Sequence, residues 1–167
     1  MKVAIIGMGS VGRGVVSMIE QKDLGLQVTG IADSKSGVLS LKGLDLKKIL
    51  AKKKKTGLVG DSVVSAIDVV KKGTYDVLVE VSPTNADTGE PALSYIKGAL
   101  QRKKHVVTSN KGPIALAYKD LKALAKTNRV ALRHEATVAG AIPVFHTLEH
   151  GLAGNEIRAV FGVLNGT

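Results

Sequence analysis

The chain has 167 residues, of which 44% are hydrophobic and 3% aromatic, with no cysteine and a formal net charge of +10. This aliphatic composition favours buried parallel strands covered by helices over β-sandwiches and tryptophan-rich binding modules. The lack of cysteine excludes disulfides, thiolate metal sites and thiol nucleophiles. Because the first apolar run is too short for a signal peptide or a membrane span, we expect no membrane association and a cytoplasmic location.

Strand and helix patterns alternate along the chain. Strands are predicted at 2–7, 26–33, 75–83, 105–109 and 129–137, and helices at 11–22, 62–73, 91–104 and 118–127. A loop and a short basic helix are predicted between 34 and 56. The alternation predicts a doubly wound parallel α/β sheet.

The regular alternation of predicted strands and helices ends near the end of the chain. Residues 138–154 predict a small-residue turn and a helix, and residues 156–167 predict an apolar strand. We therefore predict a nucleotide-binding domain over 1–134 and the beginning of a second, incomplete domain over 135–167.

Lysines are concentrated in the segment LKKILAKKKKTG, which includes Lys47 to Lys55. Aromatic residues that could stack on bases are not interleaved with these lysines, so a nucleic-acid partner is disfavoured. The run is typical of a solvated helix face or loop, and the alternative is attraction of an anionic cofactor or substrate.

The sequence GMGSVG places Gly7, Gly9 and Gly12 between the first predicted strand and the first predicted helix. In this order the first glycine permits a tight turn, the second lets a pyrophosphate approach the backbone, and the third allows close helix-to-strand contact. The N-terminus of the helix adds unpaired amides and a partial positive charge. The loop predicts a dinucleotide site, and the alternative is a glycine turn that only packs well.

Asp33 ends the second predicted strand. Its carboxylate could accept hydrogen bonds from both hydroxyls of an adenosine ribose, which favours NAD, and it would repel the 2′-phosphate of NADP. Lys35 lies two residues away, and the lysine run at 52–55 could fold back towards the same pocket, so NADP stays open. A turn or cap role is the alternative for Asp33.

Two polar segments follow neighbouring strands of the predicted sheet. VSPTN covers 81–85, and TSNK covers 108–111. Ligands of open α/β sheets bind beyond the carboxyl ends of the strands, so we expect Thr108, Ser109, Asn110 and Lys111 to face the nicotinamide half of the cofactor. Lys111 is the candidate catalytic residue, because an amine there could hydrogen-bond to a substrate hydroxyl or exchange a proton with it. The alternative is a surface lysine beside a turn.

Five ordered stretches resemble the amino-terminal half of homoserine dehydrogenases: GMGSVGRG, VEVSPTNADTGEP, HVVTSNKGPIA, HEATVAGAIPV and GVLNGT. The resemblance covers essentially the whole chain and implies a Rossmann-type fold. It also implies NAD(P)-dependent interconversion of L-homoserine and L-aspartate 4-semialdehyde, in threonine and methionine biosynthesis, by a cytoplasmic homodimer. In this family a catalytic and dimerisation domain follows, so this chain alone would bind cofactor without efficient turnover.

The resemblance also assigns site residues position by position. Cofactor contacts fall on Gly7, Gly9, Ser10, Val11, Gly12, Ser82, Thr84 and Ser109, and Lys111 would touch both nicotinamide and substrate. A structural sodium ion is implied at Glu135 and at the carbonyls of Val138, Gly140 and Ile142, which are oxygen ligands that suit a hard cation. A capping or surface acid is the alternative for Glu135.

Histidines do not add a metal site to this prediction. His146 and His150 are four residues apart, and no third ligand is evident beside them. A non-enzymatic NAD(P)-binding sensor module is the alternative function, favoured by the absence of a substrate domain. Such a module would need the glycine loop and Asp33 but not the segment TSNKGP.

Overall fold

The computed structural model describes residues 1–60 and 63–162. Its strands are β1 (Lys2–Ile6), β2 (Gln27–Ala32), β3 (Gly37–Leu39), β4 (Val77–Glu80), β5 (His105–Thr108) and β6 (Leu132–Arg133). They form one sheet in the order β3-β2-β1-β4-β5-β6. All neighbouring strands are parallel except β2 and β3, which are antiparallel. The predicted doubly wound, Rossmann-type sheet is confirmed, with β3 as an additional edge strand.

Helices cover both faces of the sheet. They are α1 (Ser10–Gln21), α2 (Leu46–Thr56), α3 (Ala66–Lys72), α4 (Ala92–Gln101) and α5 (Lys111–Thr127). Side chains alternate along β1, so Val3 and Ile5 join a core with α1 and α2, whereas Ala4 and Ile6 join a core with α3, α4 and α5. The sheet is therefore buried on both sides at its central strands β1, β2 and β4, whereas β5 exposes alternate residues, with Val107 42% exposed.

The region after β6 contains short elements. A 3₁₀ turn covers Glu135–Thr137, and a short helix, α6 (Val144–His146), continues as one π-helical turn over Thr147–Gly151. Across 1–60 and 63–162, no helix combines the length and the apolarity needed to cross a membrane.

The predicted helix at 118–127 begins earlier than expected, at Lys111. Gly112 and Pro113 lie in its first turn, where proline fits because that turn's amides have no intrahelical partner. Ala117 departs from helical geometry, with φ −138° and ψ 24°, so the regular pattern starts after this kink.

Two other predicted elements are wrong in extent. Strand 129–137 is reduced to Leu132–Arg133, because the backbone leaves the extended conformation at His134. In the helix predicted at 62–73, Ser62 lies outside the described residues, and the helix begins at Ala66 because Ser65 caps it by accepting a hydrogen bond from the Asp68 amide.

The predicted strand at 156–167 is absent from 156–162, where the chain has no regular structure. No sheet edge covers this part of the chain, and Phe161 is 93% exposed. The rest of that predicted strand, at 163–167, and most of the motif GVLNGT lie outside the described residues.

Candidate dinucleotide-binding site

A cavity of about 700 Å³ lies over the carboxyl ends of the strands. β1 pairs with β2 on one side and with β4 on the other, so the strand order reverses at this position. Open α/β sheets bind their ligands at such a reversal. The lining residues come from the glycine loop, the end of β2, the loop after β4, helices α2 to α4 and Ser109.

The glycine loop has the geometry that its sequence predicts. Gly7 has φ +104°, and a Cβ there would lie 2.5 Å from the Val81 carbonyl oxygen. At Gly12 a Cβ would lie 1.9 Å from the Gly7 carbonyl oxygen, so only glycine permits this close contact of helix and loop. Gly9 is the N-cap of α1, so no side chain at the cap accepts hydrogen bonds from the first amides of the helix, and the space where its side chain would lie is open. The first amides of α1 are thus available to a bound anion.

Asp33 lines the cavity beyond the end of β2. Its Oδ2 lies 2.5 Å from Nζ of Lys53, and its Oδ1 accepts hydrogen bonds from the amides of Lys35 and Ser36. Burial alone would raise the pKa of Asp33, but the hydrogen bond from Lys53 and the two amides outweigh burial and lower that pKa. The carboxylate therefore closes a local turn and still borders the cavity.

Lys53 reaches the cavity from α2, so the lysine run does return towards this pocket, which the sequence left open. Its ammonium also donates to the Gly57 carbonyl at 2.7 Å. Since the Lys53 side chain is only 17% exposed, it is held in place beside Asp33.

The positions of the strands separate the two ends of the cavity. Asp33 follows β2, the glycine loop follows β1, Ser82 follows β4 and Ser109 follows β5. Neighbouring strands lie about 4.8 Å apart, so the outer two of these four positions are separated by roughly 14 Å across the sheet. We call the side of Asp33 the β2 end and the side of Ser82 and Ser109 the β4–β5 end.

Glu80, the last residue of β4, lies beneath the β4–β5 end and is fully buried. The backbone amide of Ser82 donates to its Oε1 at 2.8 Å, and the Ser82 hydroxyl donates to the same oxygen. The Thr108 hydroxyl donates to Oε2 at 2.9 Å. One carboxylate therefore contacts both strand-end loops.

Asn110 makes a second connection between these loops. Its amide nitrogen Nδ2 donates to the Ser82 carbonyl at 3.1 Å, and its Oδ1 accepts from the Thr84 hydroxyl at 2.9 Å. The backbone amide of Asn110 donates to the Thr108 hydroxyl. Thr108 and Asn110 are each 2% exposed, so the expectation that they face the crevice is wrong: their polar atoms are used within the protein.

Most predicted cofactor residues line this one cavity: Gly7, Gly9, Ser10, Val11, Asp33, Ser82, Thr84 and Ser109. Gly12 lies beneath the loop and acts through packing. Lys111 does not line the cavity; it is exposed and forms the first residue of α5, two positions after Ser109.

Sequence reasoning missed two residues at this site. Glu80 had a signal, because it is an acid within the apolar run YDVLVEVSP. Tyr95 lines the cavity from α4, and burial, with the negative charges of Glu80 and Glu90, raises the pKa of its hydroxyl. No pattern identified Tyr95, since it lies on the apolar face of its helix.

The predicted sodium ligands lie after β6. The Glu135 carboxylate accepts hydrogen bonds from the backbone amides of Phe145 and His146 at 2.9 and 3.0 Å, so it caps α6. Gly140 and Ile142 are exposed and Val138 is half-buried. Within the described residues, no three or more His, Asp or Glu side chains are grouped to hold a metal.

The chain matches the family model "Homoserine dehydrogenase, NAD binding domain" over residues 7–135. It is 42% identical to a homoserine dehydrogenase of Methanocaldococcus jannaschii, and the alignment covers 100% of this chain and 53% of that protein. It is 38% identical to an NAD(+)-dependent homoserine dehydrogenase of Pseudomonas canavaninivorans, over 99% of this chain and 51% of that protein. The chain thus spans about half the length of these relatives.

Solved structures agree with this match. The homoserine dehydrogenase of Thermoplasma acidophilum superposes with a TM-score of 0.82 at 28% identity, over 92% of this chain and 49% of that one. A hyperthermophilic archaeal homoserine dehydrogenase mutant in complex with NADPH gives a TM-score of 0.80 at 30% identity, with the same coverage of each chain. The fold, the cavity and the family match together show that this chain belongs to the family of homoserine dehydrogenase NAD-binding domains.

Proposed function

We propose that this chain is the NAD(P)-binding part of a homoserine dehydrogenase. It would serve the interconversion of L-homoserine and L-aspartate 4-semialdehyde in threonine and methionine biosynthesis. The observation that carries the proposal is that the family match over 7–135 includes every segment that lines the one cavity at the strand reversal, apart from Ile6 at its edge.

The cavity offers a group for each part of the dinucleotide. The first-turn amides of α1 would bind the pyrophosphate, and Asp33 would accept hydrogen bonds from the adenosine ribose. Ser82, Thr84 and Ser109 line the β4–β5 end, where they would contact the nicotinamide ribose. When bound, the nicotinamide supplies hydride-transfer chemistry, with the substrate alcohol becoming a carbonyl.

Either NAD or NADP is compatible with the β2 end. The Asp33 carboxylate disfavours a 2′-phosphate, but Lys53 pairs with that carboxylate and Lys35 also lines the cavity. The pair is formally neutral, and a 2′-phosphate would interact with the two ammonium groups. We therefore propose that both cofactors bind, with Lys53 as the residue on which NADP binding depends.

Lys111 is the proposed catalytic residue. Its position at the start of α5, directly after the loop that carries Ser109, supports this role, because the nicotinamide would lie at the β4–β5 end of the cavity. There the amine would hydrogen-bond to the homoserine hydroxyl and receive its proton as the alcohol is oxidised.

Residues 135–167 would begin the catalytic and dimerisation domain. The relatives are about twice as long as this chain, which supports a substrate-holding portion outside these 167 residues. We propose that the chain alone binds cofactor without efficient turnover, and that the full-length protein acts as a cytoplasmic homodimer.

A chimera tests the proposed activity. In it, this chain is followed after Thr167 by the second half of the M. jannaschii relative, and reduction of NAD and NADP by homoserine is measured. We expect turnover by the chimera and cofactor binding without turnover by the chain alone. A folded chimera that binds NAD but leaves homoserine unoxidised would contradict the dehydrogenase and favour the alternative, an NAD(P) sensor module.

We also propose a sodium ion at Glu135 and the carbonyls of Val138, Gly140 and Ile142. The support is chemical, because the proposed ligands are all oxygens. Each Glu135 carboxylate oxygen accepts one hydrogen bond from a backbone amide and retains a lone pair for a cation. Thermal unfolding in sodium chloride and in choline chloride tests this site. Sodium should raise the midpoint of the wild type and not that of Glu135→Gln, and equal midpoints of the wild type in the two salts would contradict the proposal.

A further inference from the structure

The carboxylate of Glu80 is an unusual group to find at the end of a central strand. It is fully buried, and within the described residues it has no ion pair with a lysine or an arginine. Burying an unpaired charge is costly unless hydrogen bonds compensate it. Among the described residues, the hydrogen bonds of this carboxylate come from Ser82 and Thr108. A valine or leucine could be buried here without the cost of desolvating a charge, so these contacts are the reason for a carboxylate at this position.

Those hydrogen bonds join two loops that are far apart in sequence. Oε1 holds the amide and hydroxyl of Ser82, at the start of the loop after β4, and Oε2 holds the hydroxyl of Thr108, at the end of β5. Thr108 also links this carboxylate to Asn110, because its hydroxyl oxygen accepts a hydrogen bond from the Asn110 backbone amide. Asn110 in turn binds Ser82 and Thr84 and is the N-cap of α5.

The network therefore determines the positions of the groups around the β4–β5 end. Ser82 and Thr84 lie on one of its loops, and Ser109 lies between Thr108 and Asn110 on the other. At the β2 end, Asp33 and Lys53 form hydrogen bonds with a different set of residues: Lys35, Ser36 and Gly57. The two ends of the cavity are thus held by separate sets of contacts.

We infer that Glu80 is a positioning residue for the nicotinamide half of the cofactor, acting through Ser82 and Thr108. The inference rests on the proposed binding of NAD(P). It implies that loss of this carboxylate weakens recognition of the nicotinamide riboside and leaves recognition of the adenosine diphosphate unchanged.

Calorimetric titration of the chain with NAD and with ADP tests the inference, because ADP lacks the nicotinamide riboside. The variants are Glu80→Gln, which removes the charge at nearly constant shape, and Thr108→Val, which removes one donor to it. Thr29→Val is the matched control, since Thr29 is also buried but its hydroxyl donates to backbone carbonyls of Thr74 and Val3, outside the cavity.

For Glu80→Gln and Thr108→Val we expect NAD to bind on the order of ten-fold more weakly, as for loss of a hydrogen bond to a charged group, and ADP to bind as in the wild type. Thr29→Val should alter neither affinity, and Thr108→Ser, which keeps the hydroxyl, should restore NAD binding. If Glu80→Gln does not fold, Thr108→Val and Thr108→Ser decide. Equal losses for NAD and ADP, or wild-type NAD affinity in Thr108→Val, would overturn the inference alone, whereas a wild type that binds neither ligand would overturn the proposed function with it.

Discussion

The Lys53 ammonium lies 2.5 Å from the Asp33 carboxylate at the β2 end of the cavity. The acid that predicts NAD and a base that suits NADP are therefore paired with each other. Because both side chains are at most 17% exposed, water screens this pair less than it would a surface pair. Under the proposed function, we therefore expect the choice of cofactor to depend on the pair and not on Asp33 alone.

Replacing Lys53 by alanine should shift the preference towards NAD. The change leaves the Asp33 carboxylate without its partner, so its repulsion of a 2′-phosphate is no longer offset. We expect NADP affinity to fall about ten-fold more than NAD affinity, which corresponds to about 1.4 kcal/mol. Lys54→Ala is the control, since Lys54 is the exposed neighbour on the same helix. Titrations in which the two variants give the same ratio of NAD to NADP affinity would contradict this role.

Asp33 should make the stability of the chain sensitive to acid. Its pKa is lowered from the ordinary 3.8 by the hydrogen bonds that outweigh burial. A lowered pKa in the folded state stabilises the protein above the unfolded value, and this stabilisation is lost as the pH falls through the folded value. Thermal unfolding between pH 6 and pH 2 should show a smaller loss of stability in Asp33→Asn than in the wild type, and parallel curves would contradict the prediction.

Glycine substitutions in α1 should separate packing from helix propensity. In Gly12→Ala the new methyl meets the Gly7 carbonyl oxygen, so we expect a loss of about 3 kcal/mol in the free energy of unfolding and loss of NAD binding. Gly14→Ala is the matched control: its methyl meets nothing within 4 Å, and the helix should gain about 0.5–1 kcal/mol. Urea unfolding of the two variants measures both effects, and equal stabilities would contradict the packing role of Gly12.

Lys111 should affect turnover more than cofactor binding. In the chimera, Lys111→Ala should lower kcat on the order of a hundred-fold, as expected for loss of a general base. NAD affinity should change little, because Lys111 does not line the cavity. Lys119→Ala, an exposed lysine on the same helix, is the control. Equal kcat values for Lys111→Ala and the wild type would remove Lys111 from the mechanism.

The sequence predicted the features of the site that depend only on local backbone geometry and on position at the end of a strand. The glycine loop and Asp33 follow from backbone sterics and strand-end position, and the structure places them at one cavity. The helix start at Lys111 was missed because the apolar spacing becomes regular only from Tyr118, after the kink at Ala117. The first and last residues of a helix depend on how the chain packs, and the periodicity of apolar residues carries no information about that packing.

Glu80 and Asn110 illustrate the other limit of prediction. Their roles depend on hydrogen bonds between residues 26 to 28 positions apart, which arise only when β4 and β5 lie side by side. From sequence alone, Glu80 is an acid in an apolar run and Asn110 is one polar residue among several. The roles of these two residues therefore follow from tertiary contacts and could not be predicted from the residues next to them in the sequence.

The order of strands in the sheet has a consequence for protein engineering. The glycine loop, Asp33, Lys35 and Lys53 all precede residue 60, whereas the network of Glu80 and Asn110 lies wholly after it. Under the proposed function, adenosine recognition and nicotinamide alignment would thus be encoded by two consecutive, non-overlapping stretches of the gene. Exchanging the stretch that encodes residues 33–57 with that of a relative is expected to transplant cofactor preference as a cassette while leaving the nicotinamide side intact.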